Sequence, residues 1–178
     1  EDAILRAVRD KVGITSTSNM EQLYAWNKHG RDPRGWVVTI AYYLLMPFEE
    51  LKSSIDGRPN VGLFQLQVDE KTNDDTVRIT TPTGEIIIPA FDHGEILKKV
   101  ILRLQDQIWT SNLVFPLLPK KFSLRDMKKV YESILGTKFN KDSFRNRVVN
   151  TLRLVKSTGT FEKNVGHRPG ELFTRRAR

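Results

Sequence analysis

The chain has no cysteine in its 178 residues. That excludes disulfides, thiolate metal sites and cysteine nucleophiles, and it agrees with a cytoplasmic address. No stretch approaches the ~18 consecutive apolar residues of a membrane span, so no membrane partner is expected. The first residues lack the basic start and apolar run of a secretory signal. Histidine is scarce too: His29, His93 and His167 lie far apart without metal-ligand spacing, and each is assigned a hydrogen-bonding or capping role. Acidic residues become rare in one region only. Residues 119–178 carry 16 Lys plus Arg against 5 Asp plus Glu, a net +11, whereas residues 1–118 carry 13 against 16, a net −3. A positive field confined to one folded segment points to a polyanionic partner for that segment.

The hydrophobic fraction of 39% fits globular folding, and the length allows two small cores. Residues 1–12 read as an amphipathic helix with Ile4, Leu5, Val8 and Val12 at helical spacing and Gly13 as its stop. No cap precedes it, so the chain is expected to begin inside a domain. Met20 to Trp26 and Trp36 to Met46 read as strands around a loop from His29 to Gly35. The second is apolar enough for a buried central strand. Short strands are expected at 62–66, 76–81 and 85–88, with Pro82, Thr83 and Gly84 turning the last pair. From Asp92 and His93 onward the period changes: Leu97, Val100, Ile101, Leu104 and Ile108 mark a helix over 94–108. A second helix is capped by Ser123 and ended by Gly136, and a third runs from a cap at Asn140 to about Leu152. Strand-like pieces follow at 159–161 and 171–175. The fold class is α+β, with an expected boundary between domains of residues 1–90 and 91–178.

Three helices followed by a basic hairpin are the parts of a winged helix-turn-helix. On the third helix, Phe144, Val148 and Leu152 share one face, while Ser143, Asn146 and Asn150 point the other way, flanked by Arg145 and Arg147, with Lys141 in the first turn. Asparagine pairs with adenine, and arginine with guanine or phosphate, so this face suits a major groove. Gly166, Arg168, Pro169 and Gly170 form a tight turn, with Arg175, Arg176 and Arg178 beyond it, as a wing along the phosphate backbone requires. The expected DNA-binding residues are Lys141, Ser143, Arg145, Asn146, Arg147, Asn150, Arg168 and Arg175.

The segments AFDHGEIL, KFSLRDMKKVYESILGTKFNKDSFRNRVV and GHRPGELF resemble the carboxy-terminal half of the Nudix-related, NrtR-like transcriptional regulators, a group that includes repressors of NAD metabolism. RDPRGWVVTIAYY, Arg31 to Tyr43, is similar to the RDPRG segment of ADP-ribose-type Nudix domains. The resemblance implies a truncated Nudix-like α/β/α sandwich ahead of the winged helix, and an effector such as ADP-ribose or a related phosphorylated nucleoside or sugar. It sets Arg6 to Lys11 against the end of the Nudix box, where Ala7 and Lys11 replace two of three glutamates and Asp10 alone keeps a carboxylate. Holding Mg²⁺ needs clustered carboxylates, so hydrolysis is not expected, and no cofactor is required. Arg31 and Arg34, with Trp36 or Trp26 to stack on a base, are the expected effector residues. The same residues also fit a loop held by an Arg31 to Asp32 ion pair, with both tryptophans in a core.

The leading expectation is an effector-responsive DNA-binding regulator acting as a homodimer on a palindromic operator in double-stranded DNA. The alternatives are a Nudix hydrolase acting on ADP-ribose, and an interaction module whose winged helix contacts protein or RNA.

Overall fold

The computed structural model describes residues 2–16, 18–27, 29–30, 33–67 and 77–177. It divides into two compact units, residues 1–106 and 107–178, whereas the sequence pattern places the boundary at residue 90.

In the first unit, helix α1 (Asp2–Val12) ends at Gly13, whose φ of 79° is one that residues with a Cβ seldom adopt. Strand β1 (Met20–Trp26) pairs antiparallel with β2 (Thr39–Leu44), with a register shift between Gln22 and Tyr24. The expected strand from Trp36 to Met46 is therefore shorter at both ends. Nor is it a buried central strand: among the described residues β2 pairs with β1 alone, and Val38 and Ile40 are 56% and 50% exposed. A strand with a single neighbour buries only the side chains its own layer covers, here Tyr43.

Helix α2 (Phe48–Ile55) was not anticipated from the sequence. Pro47 precedes it in extended conformation, Glu49 and Glu50 occupy its first turn, and Ser53 and Ser54 donate back to the carbonyls of Glu49 and Glu50. Strands β3 (Gln65–Gln67), β4 (Arg78–Thr80) and β5 (Ile86–Ile87) form an antiparallel sheet in that order, with Val77 and Ile79 buried. The expected hairpin turn is present: the Gly84 amide donates to the Thr81 carbonyl. Helix α3 (His93–Gln107) closes the unit.

The second unit is organised by aromatic rings. The Trp109 and Tyr131 ring centres lie 4.3 Å apart, Tyr131 and Phe144 5.3 Å, and Phe139 and Phe144 5.9 Å. Such pairs add roughly 0.5–1.5 kcal/mol each beyond the burial of their area. Tyr131 is fully buried, its hydroxyl donates to the Ile108 carbonyl at 3.2 Å, and burial pushes its pKa up. Ile108, Val114, Met127, Val148 and Val155 complete the fully buried core.

Helix α4 (Leu124–Leu135) starts at Ser123, whose hydroxyl accepts from the Asp126 amide at 3.2 Å and donates to the Asp126 carboxylate at 2.7 Å. It stops at Gly136, at φ 66°. The turn that follows is held by Glu132, whose side chain is only 8% exposed. Its carboxylate accepts from the Phe139 amide at 2.8 Å and from Lys128 Nζ at 2.9 Å, with Lys138 Nζ at 3.6 Å, and Lys128 also donates to the Phe139 carbonyl. The Phe139 amide first, and then the lysines, hold the Glu132 pKa below the usual carboxylate value.

The third helix begins as α5 (Lys141–Arg145) under an Asn140 cap that accepts from the Asp142 and Ser143 amides. From Asn146 to Thr151 it widens into a π-helix, and the Leu152 amide reaches the Arg147 carbonyl at 2.8 Å. Arg153, at φ 51°, ends it, and the Leu154 amide closes onto the Val148 carbonyl. Strands β6 (Phe122–Ser123), β7 (Val155–Phe161) and β8 (Glu171–Arg175) form a sheet in the order β6-β8-β7. Of these, β6 was not anticipated, and β7 is longer than the expected 159–161 piece because its irregularity at Gly159 interrupts pairing without ending the strand.

A methyl group on Gly13 would lie 2.7 Å from the Ser54 carbonyl oxygen and against the Arg58 guanidinium, which itself donates to the Asp10 carbonyl. Gly13→Ala should cost about 1–2 kcal/mol from backbone strain alone, seen as a lower urea midpoint; an unchanged midpoint would refute it. Glu132 has a depressed folded pKa, so its contribution is present above the ordinary carboxylate value of 4.5 and fades as pH falls through the folded value. Thermal midpoints of the parent and Glu132→Gln should differ most near neutrality and converge in acid. A gap independent of pH would rule this out.

Candidate nucleic-acid interface and effector loop

The third helix presents the expected division of faces. Phe144 and Val148 are buried, while Lys141, Ser143, Arg145, Asn146, Arg147 and Asn150 are exposed. Burying one stripe of the helix on the aromatic cluster turns the polar stripe outward.

The exposed side chains are not all independent. Arg147 lies on the Trp109 ring, its guanidinium carbon 3.8 Å from the ring centre. Arg145 reaches Glu171 at 3.6 Å and sits 5.5 Å from the Phe173 ring centre. Glu171 also accepts from the Ser157 hydroxyl, so helix and wing strands share one polar contact. Asn150 Nδ2 donates to Asn146 Oδ1 at 2.9 Å. Sequence reasoning identified both arginines but neither Trp109 nor Glu171, because residues 38 and 26 positions away leave no periodic signal.

The wing loop is tied at both ends. Glu162 accepts from the Gly170 amide at 2.7 Å, and its own amide donates to the Gly170 carbonyl. A side chain at Gly170 would collide with the Glu162 carboxylate. Arg125 on α4 donates to His167 Nε2, and His167 Nδ1 donates to the Arg168 carbonyl. Arg168 is exposed, and Arg175 lies 5.6 Å from the Phe115 ring centre. Arg178 lies outside the described residues.

In the first unit the expected effector residues separate. Trp26 is buried at 7% exposure, edge-on to Tyr24. Trp36 is 68% exposed, stacks on His29 at 5.8 Å, and donates its indole N–H to the Asn27 carbonyl. Of the two, Trp36 offers a ring to solvent. Arg34 is exposed on the same loop, and Arg31 lies outside the described residues. A cleft elsewhere in the unit is lined by Asp2, Leu5, Arg6, Arg9, Ile14 and Thr15. Its helical residues occupy the face of α1 opposite Ala7 and Lys11. The Asp10 carboxylate pairs with Arg9 at 3.4 Å.

Residues 114–174 match the NrtR DNA-binding winged helix domain. The ADPR responsive transcriptional repressor NtrR of Acinetobacter baylyi is 30% identical over 168 residues, covering 94% of this chain and 60% of that protein. The chain thus spans less than two thirds of the length of that relative. Shewanella oneidensis NrtR, in a crystal structure with a 27mer DNA, aligns with a TM-score of 0.69 at 25% identity, over 97% of this chain and 70% of that one. A MutT/nudix family protein from Enterococcus faecalis aligns with a TM-score of 0.65 at 23% identity, over 99% of this chain and 70% of that one, a likeness of fold.

Proposed function

We propose that this chain, which belongs to the NrtR-like family of Nudix-related transcriptional regulators, is a DNA-binding repressor that responds to ADP-ribose or a related phosphorylated nucleoside or sugar, with genes of NAD metabolism among its targets. The observation that carries this reading is the third helix, a packed helix whose outer face gathers Lys141, Ser143, Arg145, Asn146, Arg147 and Asn150 beside a basic wing. In a winged helix-turn-helix that element enters the major groove, and wing cations such as Arg168 and Arg175 meet phosphates. A homodimer would place two such helices one turn of DNA apart, ~34 Å, on a palindromic operator.

The effector reading rests on the exposed Arg34 and Trp36 of the loop that follows β1, and on the name of the Acinetobacter relative. Guanidinium charge suits a pyrophosphate, and an open indole face suits a base. Binding would act on DNA affinity only if the ligand distinguished DNA-competent from DNA-incompetent forms. Helix α3 supplies a covalent route, because it runs directly into Ile108 and Trp109, which hold Tyr131 and Arg147 of the second unit. Hydrolysis of the effector is not part of the proposal: Ala7 and Lys11 cannot ligate Mg²⁺ as glutamates would, and Asp10 is beside Arg9.

Arg145→Ala and Arg147→Ala should each weaken duplex binding and lower the slope of log affinity against log salt by ~0.9, the release of one phosphate's counterions. Slopes equal to the parent's in both variants would remove this helix from the interface. ADP-ribose should change operator affinity by roughly 5-fold to 150-fold. The effect should vanish in Arg34→Ala with Trp36→Ala, measured by fluorescence anisotropy. An operator affinity indifferent to ADP-ribose would defeat the effector assignment.

A further inference from the structure

Four polar side chains crowd the outer half of the third helix, and three of them offer a group to a partner within the protein in a way that defines the fourth. Arg145 engages Glu171, and Arg147 lies over the Trp109 ring. Asn146 uses its Oδ1 to accept one amide hydrogen of Asn150. A primary amide can turn either end toward a partner, and the hydrogen bond to Asn146 Oδ1 sets the Asn150 amide with its nitrogen toward Asn146. Asn150, exposed on this face, keeps its Oδ1 and its second amide hydrogen for another partner.

Adenine presents N7 as acceptor and its 6-amino group as donor on the major-groove edge, the complement of that oxygen and hydrogen. We propose that Asn150 reads one adenine, and that Asn146 is a positioning residue that fixes the sense of the Asn150 amide instead of reading a base of its own. The inference rests on the reading that the second unit binds duplex DNA. The π-helix contributes to the placement. Hydrogen bonds from i to i+5 widen the turn beyond 3.6 residues, which brings residues four apart closer to vertical alignment, and Asn146 and Asn150 both lie in the Asn146–Thr151 segment. The held arginines are left to position the helix on phosphates, which fixes register without selecting sequence.

The test uses a duplex selected by the parent chain from a randomised library, with each adenine replaced in turn by 7-deazaadenine, which lacks the N7 acceptor and keeps the amino group. At one adenine the parent should lose about 5-fold to 150-fold in affinity. Asn150→Ala should be indifferent at that adenine. Asn146→Ala should lose most of the same discrimination, although it removes no reading group. Asn146→Asp retains the acceptor, so it should keep the discrimination while its charge weakens binding to every duplex alike. Circular dichroism of each variant checks that the helix is intact.

If Asn146→Ala keeps full discrimination at that adenine, or loses it at a different one, the asparagines act independently and the proposal is wrong. A parent insensitive to every 7-deazaadenine also overturns it, while leaving duplex binding in place. A parent that selects no duplex from the library overturns the DNA-binding reading itself.

Discussion

The second unit depends on the stack of Trp109, Tyr131, Phe139 and Phe144. These four rings come from the segment after α3, from α4, from the turn and from the third helix, so one cluster joins two helices, the turn between them and the segment that precedes them. Aromatic side chains suit the task because each buries a large area with few rotatable bonds, and the energy of removing one is several kcal/mol in a unit of this size. Everything polar on the outside inherits its position from that stack. Phe144 and Val148 point inward, so Asn146 and Asn150 point outward. Tyr131 buries its hydroxyl against the Ile108 carbonyl, so the chain leaving α3 is pinned to the middle of α4.

Charge is arranged on two scales. Across the chain, an excess of +11 in residues 119–178 supplies a long-range attraction for polyanions that falls off with salt. At close range the few acidic residues of that segment organise the basic ones. Glu132 closes the turn, Glu162 closes the wing, Glu171 holds Arg145, and Asp126 backs the Ser123 cap. Carboxylates scarce enough to leave a strong positive field are placed where they fix backbone amides and orient cations.

Much of this was legible in the sequence, for reasons that differ by element. The Ser123 and Asn140 caps and the Gly136 stop are local: a hydroxyl or amide reaches amides two or three residues on, and glycine accepts a positive φ, so three positions mark two helices. The inward and outward faces of the third helix followed from periodicity alone. The π segment did not, because it is a choice between carbonyl partners and leaves the pattern of polar and apolar residues intact. Helix α2 escaped because it is short, lacks a side-chain cap and buries only Ile55. The separation of Trp26 from Trp36 was also hidden. Both flank the same loop, and only strand pairing decides that Trp26, opposite Thr39, is covered while Trp36 stands beyond the paired residues. The Arg58 guanidinium against Gly13 is a contact across 45 positions that no local rule announces.

The stack of Arg147 on Trp109 has an optical consequence. The chain has three tryptophans, and only Trp109 lies in the second unit. An indole beneath a guanidinium emits differently from one in water or in hydrocarbon, since the nearby positive charge shifts the energy of its polar excited state. Trp109 is therefore an intrinsic spectroscopic reporter at the third helix: with Trp26 and Trp36 replaced by phenylalanine, the remaining emission would follow the environment of Arg147 without any attached dye.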